Sequence, residues 1–150
     1  MSLILRTRKM IKLKVNTDQE AFDLVMKSIH KQKVPSIKVD VKDSKNSLSC
    51  LYAGKGKHRC AIGHLLDAPK SKLKKLDKIN VHLGTSIDGL IATLEVDSGG
   101  IDIDFLAKLQ ECHDRAAKQE CSLAFIEKFD EDMNAVANEY KLDTENWKNA

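Results

Sequence analysis

Apolar and polar residues alternate near the start of the chain, with Ile11, Leu13 and Val15 set against Lys12, Lys14 and Asn16. A period of two is that of a half-buried strand. Thr17-Asp18-Gln19-Glu20 follows as a capping box, in which the threonine hydroxyl takes an orphan amide and the glutamate reaches back. Phe22, Val25, Met26 and Ile29 then fall on one helical face, so the spacing predicts a helix over 18–32. It stops before Val34-Pro35, because proline disfavours helix in the residue before it. Ile37, Val39 and Val41 alternate with Lys38, Asp40 and Lys42, a second short strand, and Asp43-Ser44-Lys45-Asn46-Ser47 reads as a turn. Leu48–Ala53 and His58–Ile62 flank Gly54-Lys55-Gly56-Lys57, the pattern of a central β-hairpin. A loop symmetric about Lys55 places Cys50 opposite Cys60 and Tyr52 opposite His58.

Helical patterns dominate the remainder. Lys70–Lys78 is a lysine-rich helix after Ala68-Pro69, and Thr85-Ser86 caps a helix through Ile87, Leu90, Ile91 and Leu94. After Gly99-Gly100, Asp102 or Asp104 opens a helix with Phe105, Leu106, Leu109, Cys112, His113 and Ala116 on one side. A last helix, over 121–140, buries Leu123, Phe125, Ile126, Phe129, Met133, Val136, Ala137 and Tyr140. The tail from Leu142, with the sole Trp147, docks or frays. The fold class is α+β: a small antiparallel sheet with the central β-hairpin packed against helices, two of them C-terminal. The expected organisation is a single domain over residues 1–150, with 1–9 a disordered tail.

Composition narrows the function classes. No stretch approaches eighteen apolar residues, so no membrane helix is expected. Met1-Ser2-Leu3-Ile4-Leu5 is too short for a signal-peptide core, which points to a cytoplasmic protein with reduced thiols at its four cysteines. The net charge of +3 conceals a division. Residues 31–78 carry thirteen Lys/Arg against four Asp/Glu, while 95–150 carry six against fourteen. That asymmetry suits a phosphate-rich partner, or a homo-oligomer in which the basic half of one copy meets the acidic half of another.

Three constellations bear on chemistry. Cys50, Cys60, His64 and His113 have the ligand types of a zinc site, although Cys-x9-Cys-x3-His is not a finger spacing; otherwise the cysteines are small buried hydrophobes and His113 a hydrogen-bonded core residue. The His113-Asp114 doublet suits a metal-dependent phosphohydrolase, completed by His64 or His82 and by Asp130 or Asp132; otherwise Asp114 orients an imidazole that packs inside. Gly54-Lys55-Gly56-Lys57-His58-Arg59 suits an anion, since glycines allow close approach and Arg59 offers a bidentate contact, with Tyr52 placed to stack on a base. It lacks the four-residue gap and Lys-Ser/Thr ending of a Walker A loop. Otherwise it is a solvated turn. Cys121 lies near a helix start, where a thiolate is favoured; otherwise it is a cysteine merely tolerated there.

The central stretch resembles a family of small uncharacterised proteins encoded by tailed bacteriophages and prophages. The resemblance rests on Cys50-Leu51-Tyr52, the Gly54–Lys57 turn, Arg59-Cys60-Ala61-Ile62-Gly63 and the pair Leu65-Leu66. A second block is Leu109-Gln110-Glu111-Cys112-His113-Asp114 with the helix around Phe125 and Phe129, and a weaker match includes Gln32 and Ser36. Members often have cysteine where this chain has His64. The resemblance implies a phage context, in the cytoplasm of a host cell, and supplies no mechanism. The expected function is a non-enzymatic accessory protein that binds a host protein or an anionic, nucleotide-like ligand, nucleic acid included, through Tyr52, Lys55, Lys57, His58 and Arg59, with lysines 70–75 nearby. No cofactor is expected on that reading. The alternatives are the phosphohydrolase built on His113 and Asp114, or a zinc-stabilised self-assembling structural protein.

Overall fold

The computed structural model describes residues 11–40, 47–83 and 96–149. Strand β1 (Ile11–Leu13) leads into helix α1 (Asp18–Gln32). The capping box forms: Thr17 Oγ1 accepts from the Glu20 amide at 3.1 Å, and Glu20 Oε1 accepts from the Asn16 amide at 3.1 Å. Lys33 ends α1 in the left-handed region (φ 68°), its amide returning to the Ile29 carbonyl. Strands β2 (Ile37–Asp40) and β3 (Ser47–Cys50) pair antiparallel, with Ile37 opposite Cys50. A loop then runs to helix α2 (Ala61–Leu65), followed by strand β4 (Leu66–Asp67) and helix α3 (Lys70–Leu83). Strand β5 (Val96–Asp97), helix α4 (Ile103–Ala116), helix α5 (Ser122–Glu139) and a 3₁₀ turn (Asn146–Asn149) complete the described chain.

Helices predominate, so the α+β class stands with the helical part the larger. The sheet is divided in two. β1 lies between β4, antiparallel with Leu13 opposite Leu66, and β5, parallel with Ile11 opposite Val96. The hairpin expected over Leu48–Ile62 is not formed as two paired strands: β3 takes β2 as its partner, and residues from Ala61 are helical. The expected opposition of Cys50 to Cys60 and of Tyr52 to His58 is replaced by bonds from the Cys60 amide to the Leu51 carbonyl (3.0 Å) and from the Gly54 amide to the His58 carbonyl (2.7 Å). The expected helix through Ile87 and Leu94 and the tail before Met10 lie outside the described residues. Among the described residues no helix is long and apolar enough to cross a membrane.

The core fills the space between α1, α2, α4 and α5. Phe22, Met26 and Ile29 of α1 meet Ile62 and Leu65 of α2 and Phe105, Leu109, Phe125 and Phe129 of the C-terminal pair, all buried. Asp102 caps α4 by accepting from the Asp104 amide at 3.1 Å. Leu123, expected inside, is 67% exposed, because the first turn of α5 overruns the core that begins at Phe125.

The tail docks. Trp147 packs against His30 of α1 with the rings tilted and their centroids 4.5 Å apart, and His30 Nε2 bonds Asp130 of α5 at 2.5 Å. Gln19 exchanges two hydrogen bonds with the Asp143 backbone, at 2.8 and 3.0 Å. Trp147→Ala should therefore lower unfolding free energy by about 1–2 kcal/mol, as expected for a half-buried aromatic. Urea titration checks it; an unchanged midpoint would mean the tail carries no stability.

Candidate anion-binding cleft

Residues 51–60 carry the glycines and cations singled out by the sequence, and they run between β3 and α2 without regular structure. Buried backbone polar groups in such a segment need partners from elsewhere. The protein supplies them from side chains on three helices and one connection. Asp77 of α3 accepts the Tyr52 amide on Oδ1 at 2.5 Å and the Ala53 amide on Oδ2 at 3.0 Å. Gln32, the last residue of α1, accepts the Arg59 amide at 2.8 Å and donates to the carbonyls of Val34 (2.7 Å) and Arg59 (3.0 Å). Gln110 of α4 accepts the Ile62 amide at 3.1 Å. Ser36 donates its hydroxyl to the Leu51 carbonyl at 2.8 Å, while its own amide donates to His113 Nε2 at 3.0 Å.

His113 is thereby assigned a role. The ring is fully buried, edge-on to Phe125 with centroids 6.0 Å apart. Because Nε2 accepts from the Ser36 amide, the ring proton sits on Nδ1 and is donated to Asp114 Oδ1 at 2.9 Å. Asp114 Oδ1 also accepts from Gln110 Nε2 at 2.8 Å, which holds the amide that Ile62 uses. Neither imidazole nitrogen has a lone pair left for a metal. Asp130 is engaged by His30 and Asp132 by Lys128 at 3.2 Å, and the His82 side chain lies outside the described residues. Among the described residues the phosphohydrolase set is not assembled.

The zinc set fares the same way. Cys60 is buried at the start of α2, His64 Nε2 bonds Gln32 Oε1 at 2.9 Å, and His113 is spent. The Cys50 side chain is outside the described residues. Among those that are described, no three His, Cys, Asp or Glu side chains gather as metal ligands. Cys60, Cys112 and Cys121 form no disulfide. Burial, then the carboxylates of Asp132 and Glu111, pushes the Cys112 thiol up to about 12, an inert thiol; Cys121 is exposed at the start of α5.

Held in this frame, the loop faces a cleft of about 380 Å³. Lys57, His58 and Arg59 of the loop line it, with Lys14 from the end of β1, His64 of α2 and Lys70 of α3. Among the described residues no carboxylate lines it, and none of the four cations is in a salt bridge. Lys70 Nζ donates to the Gly56 carbonyl at 2.8 Å, fixing one wall. His64 is pulled down to about 4 by burial first and then by the positive charges of Arg59 and Lys14.

Of the expected ligand residues, Lys57, His58 and Arg59 converge here. Lys55 is exposed but does not line the cleft. Tyr52 is only 2% exposed, so its ring packs in the core and does not offer a face to a base. Lys14 and the use of His64 went unforeseen as cleft residues. The pairing of β1 with β4, sealed by the Lys14 amide on the Leu65 carbonyl (2.7 Å), is what brings Lys14 to the loop, and strand partners leave no local trace.

Two glycines make the close approaches. A Cβ on Gly63 would lie 2.6 Å from the Tyr52 carbonyl, and one on Gly54 would lie 2.3 Å from Ser36 Oγ. Gly54→Ala should cost about 1–3 kcal/mol as an overpacked site. In a Ser36→Ala background the added cost should shrink; additive losses in a double-mutant cycle would contradict the contact. Asp77→Asn leaves one of two amides without an acceptor and should cost about 1–3 kcal/mol. Burial raises Asp77 from its ordinary 3.8 despite the two amide bonds, which act the other way. The neutral acid is thus favoured in the fold, and wild-type stability falls as pH rises from the ordinary to the raised value. The deficit of Asp77→Asn should therefore be largest at acid pH and narrow as pH rises through that window, measured by urea unfolding. No protein-family model, curated protein or solved structure matches the chain.

Proposed function

We propose that this chain is a non-enzymatic binding protein that takes an anionic, phosphoryl-bearing ligand in the cleft of Lys14, Lys57, Arg59 and Lys70. The observation that carries this reading is the convergence, from three separate stretches of chain, of four cations that are in no salt bridge among the described residues. Like charges crowded around a concave wall repel one another and raise the potential inside it, and an anion relieves both. Arg59 supplies a forked donor suited to a phosphoryl group, and the lysines supply point charges around it. The occupation of both His113 nitrogens favours binding over catalysis. On the resemblance to phage proteins, we propose that such a ligand is met inside an infected cell.

The test is an NMR titration of the full chain with inorganic phosphate at low ionic strength. The amides of Lys14 and of Lys57 through Arg59 should move together. Lys57→Glu with Arg59→Glu should weaken binding by about tenfold or more, and added salt should weaken it in the wild type. Affinity unchanged by charge reversal, or shifts centred elsewhere, would contradict the assignment.

A further inference from the structure

His64 stands where the polar frame of the loop meets the cleft. Gln32 has its amide orientation fixed by three backbone groups: its Nε2 donates to the Val34 and Arg59 carbonyls, so its Oε1 must face the Arg59 amide and the His64 ring. Only an N–H can satisfy that oxygen, so His64 carries its proton on Nε2, and Nδ1 is the nitrogen open to a second one. The Arg59 carbonyl also favours a proton on this ring. The opposing groups are cationic: Arg59 and Lys14 beside the ring, Lys57 and Lys70 around the same cleft, His58 on the loop wall, and His113 of α4 on the core side. The ring thus has acceptors in Gln32 Oε1 and the Arg59 backbone and lines the same cleft as the cations, and among the described residues no carboxylate lines it.

We propose that the cleft binds a phosphomonoester dianion together with one proton from solvent, and that His64 takes up that proton at Nδ1. This rests on the cleft being the binding site. In the empty cleft, burial and the neighbouring cations keep the ring neutral, with a value of about 4. A dianion among Lys14, Arg59 and Lys70 offsets the cationic contribution and offers Nδ1–H an acceptor, while the Gln32 contact is unchanged. The ring's affinity for a proton is then higher in the complex than in the free protein. Linkage fixes the sign: binding tightens as pH falls from the bound-state value toward about 4 and is flat above that window.

The experiment is calorimetric titration of the full chain with sodium sulfate at low ionic strength between about pH 8 and about pH 5, in two buffers of different ionisation enthalpy. Sulfate stays a dianion throughout, so any pH dependence belongs to the protein. Wild type should show Kd falling with pH by up to about tenfold per unit, with as much as one proton taken up per sulfate. His64→Gln, which keeps an N–H for the Gln32 oxygen, should bind with a flat profile, and His58→Gln should keep the slope. A slope that survives His64→Gln or vanishes in His58→Gln would overturn the proposal. So would wild-type binding with no proton uptake, a result that leaves the cleft itself standing and needs no variant to fold. Absence of sulfate binding at every pH would overturn both the proton uptake and the cleft.

Discussion

Five backbone amides, those of Ser36, Tyr52, Ala53, Arg59 and Ile62, each donate to a side chain held by an element distant in sequence. A buried amide left without an acceptor costs about 1–3 kcal/mol, so five of them would consume a sum comparable to the about 5–15 kcal/mol that stabilises a whole domain. The acceptors are His113, Asp77, Gln32 and Gln110, and three of the four are nearly or fully buried themselves. The two ends of the irregular loop, Tyr52 to Gly54 and Cys60, are therefore part of the interior, while Lys55 to Lys57 between them are exposed. Gly54 and Gly63 complete the arrangement by letting backbone lie against Ser36 and Tyr52 where a methyl group would collide.

A loop fixed from behind presents its cations in front. His58 and Arg59 have their backbone positions set by bonds to Lys55, Gly54 and Gln32, and Cys60 after them by its bond to Leu51. On the proposed function, little ordering cost would remain to be met at binding, which is how preorganisation raises affinity. The concentration of charge has its own cost, visible at His64, which burial and two cations hold neutral. The same strain that disfavours the empty cleft is what an anion would release. On the opposite part of the chain some of the acidic residues pair locally: Glu111 with Arg115, Asp132 with Lys128, and Glu139 with Lys108.

Local pattern carried the helices well. The capping box placed the start of α1 and the Val34-Pro35 step its end, and of the two expected openers of α4, Asp102 and Asp104, Asp102 is the cap; each depends on residues within one turn. The second arm of the central hairpin was misread for a physical reason. Residues 58–62 have the length and glycine turn of a strand, yet Gly63 against the Tyr52 carbonyl lets the chain coil into α2 immediately after Cys60. Gln32, Ser36, Gln110 and His113 were visible as residues of the phage-like pattern, but their task was not. A polar side chain that serves a backbone amide far away looks, in sequence, like one that serves solvent or a substrate. Asp77 sat unremarked in a lysine-rich helix, and only burial beside the amides of Tyr52 and Ala53 reveals its purpose.

Amide hydrogen exchange followed by NMR addresses the frame directly. If side chains close the loop as described, the amides of Tyr52, Ala53, Arg59 and Ile62 should exchange as slowly as core amides of α1 and α4, with protection near that of global unfolding. Exchange of these four at the rate of an open surface loop, while the helices stay protected, would contradict the account.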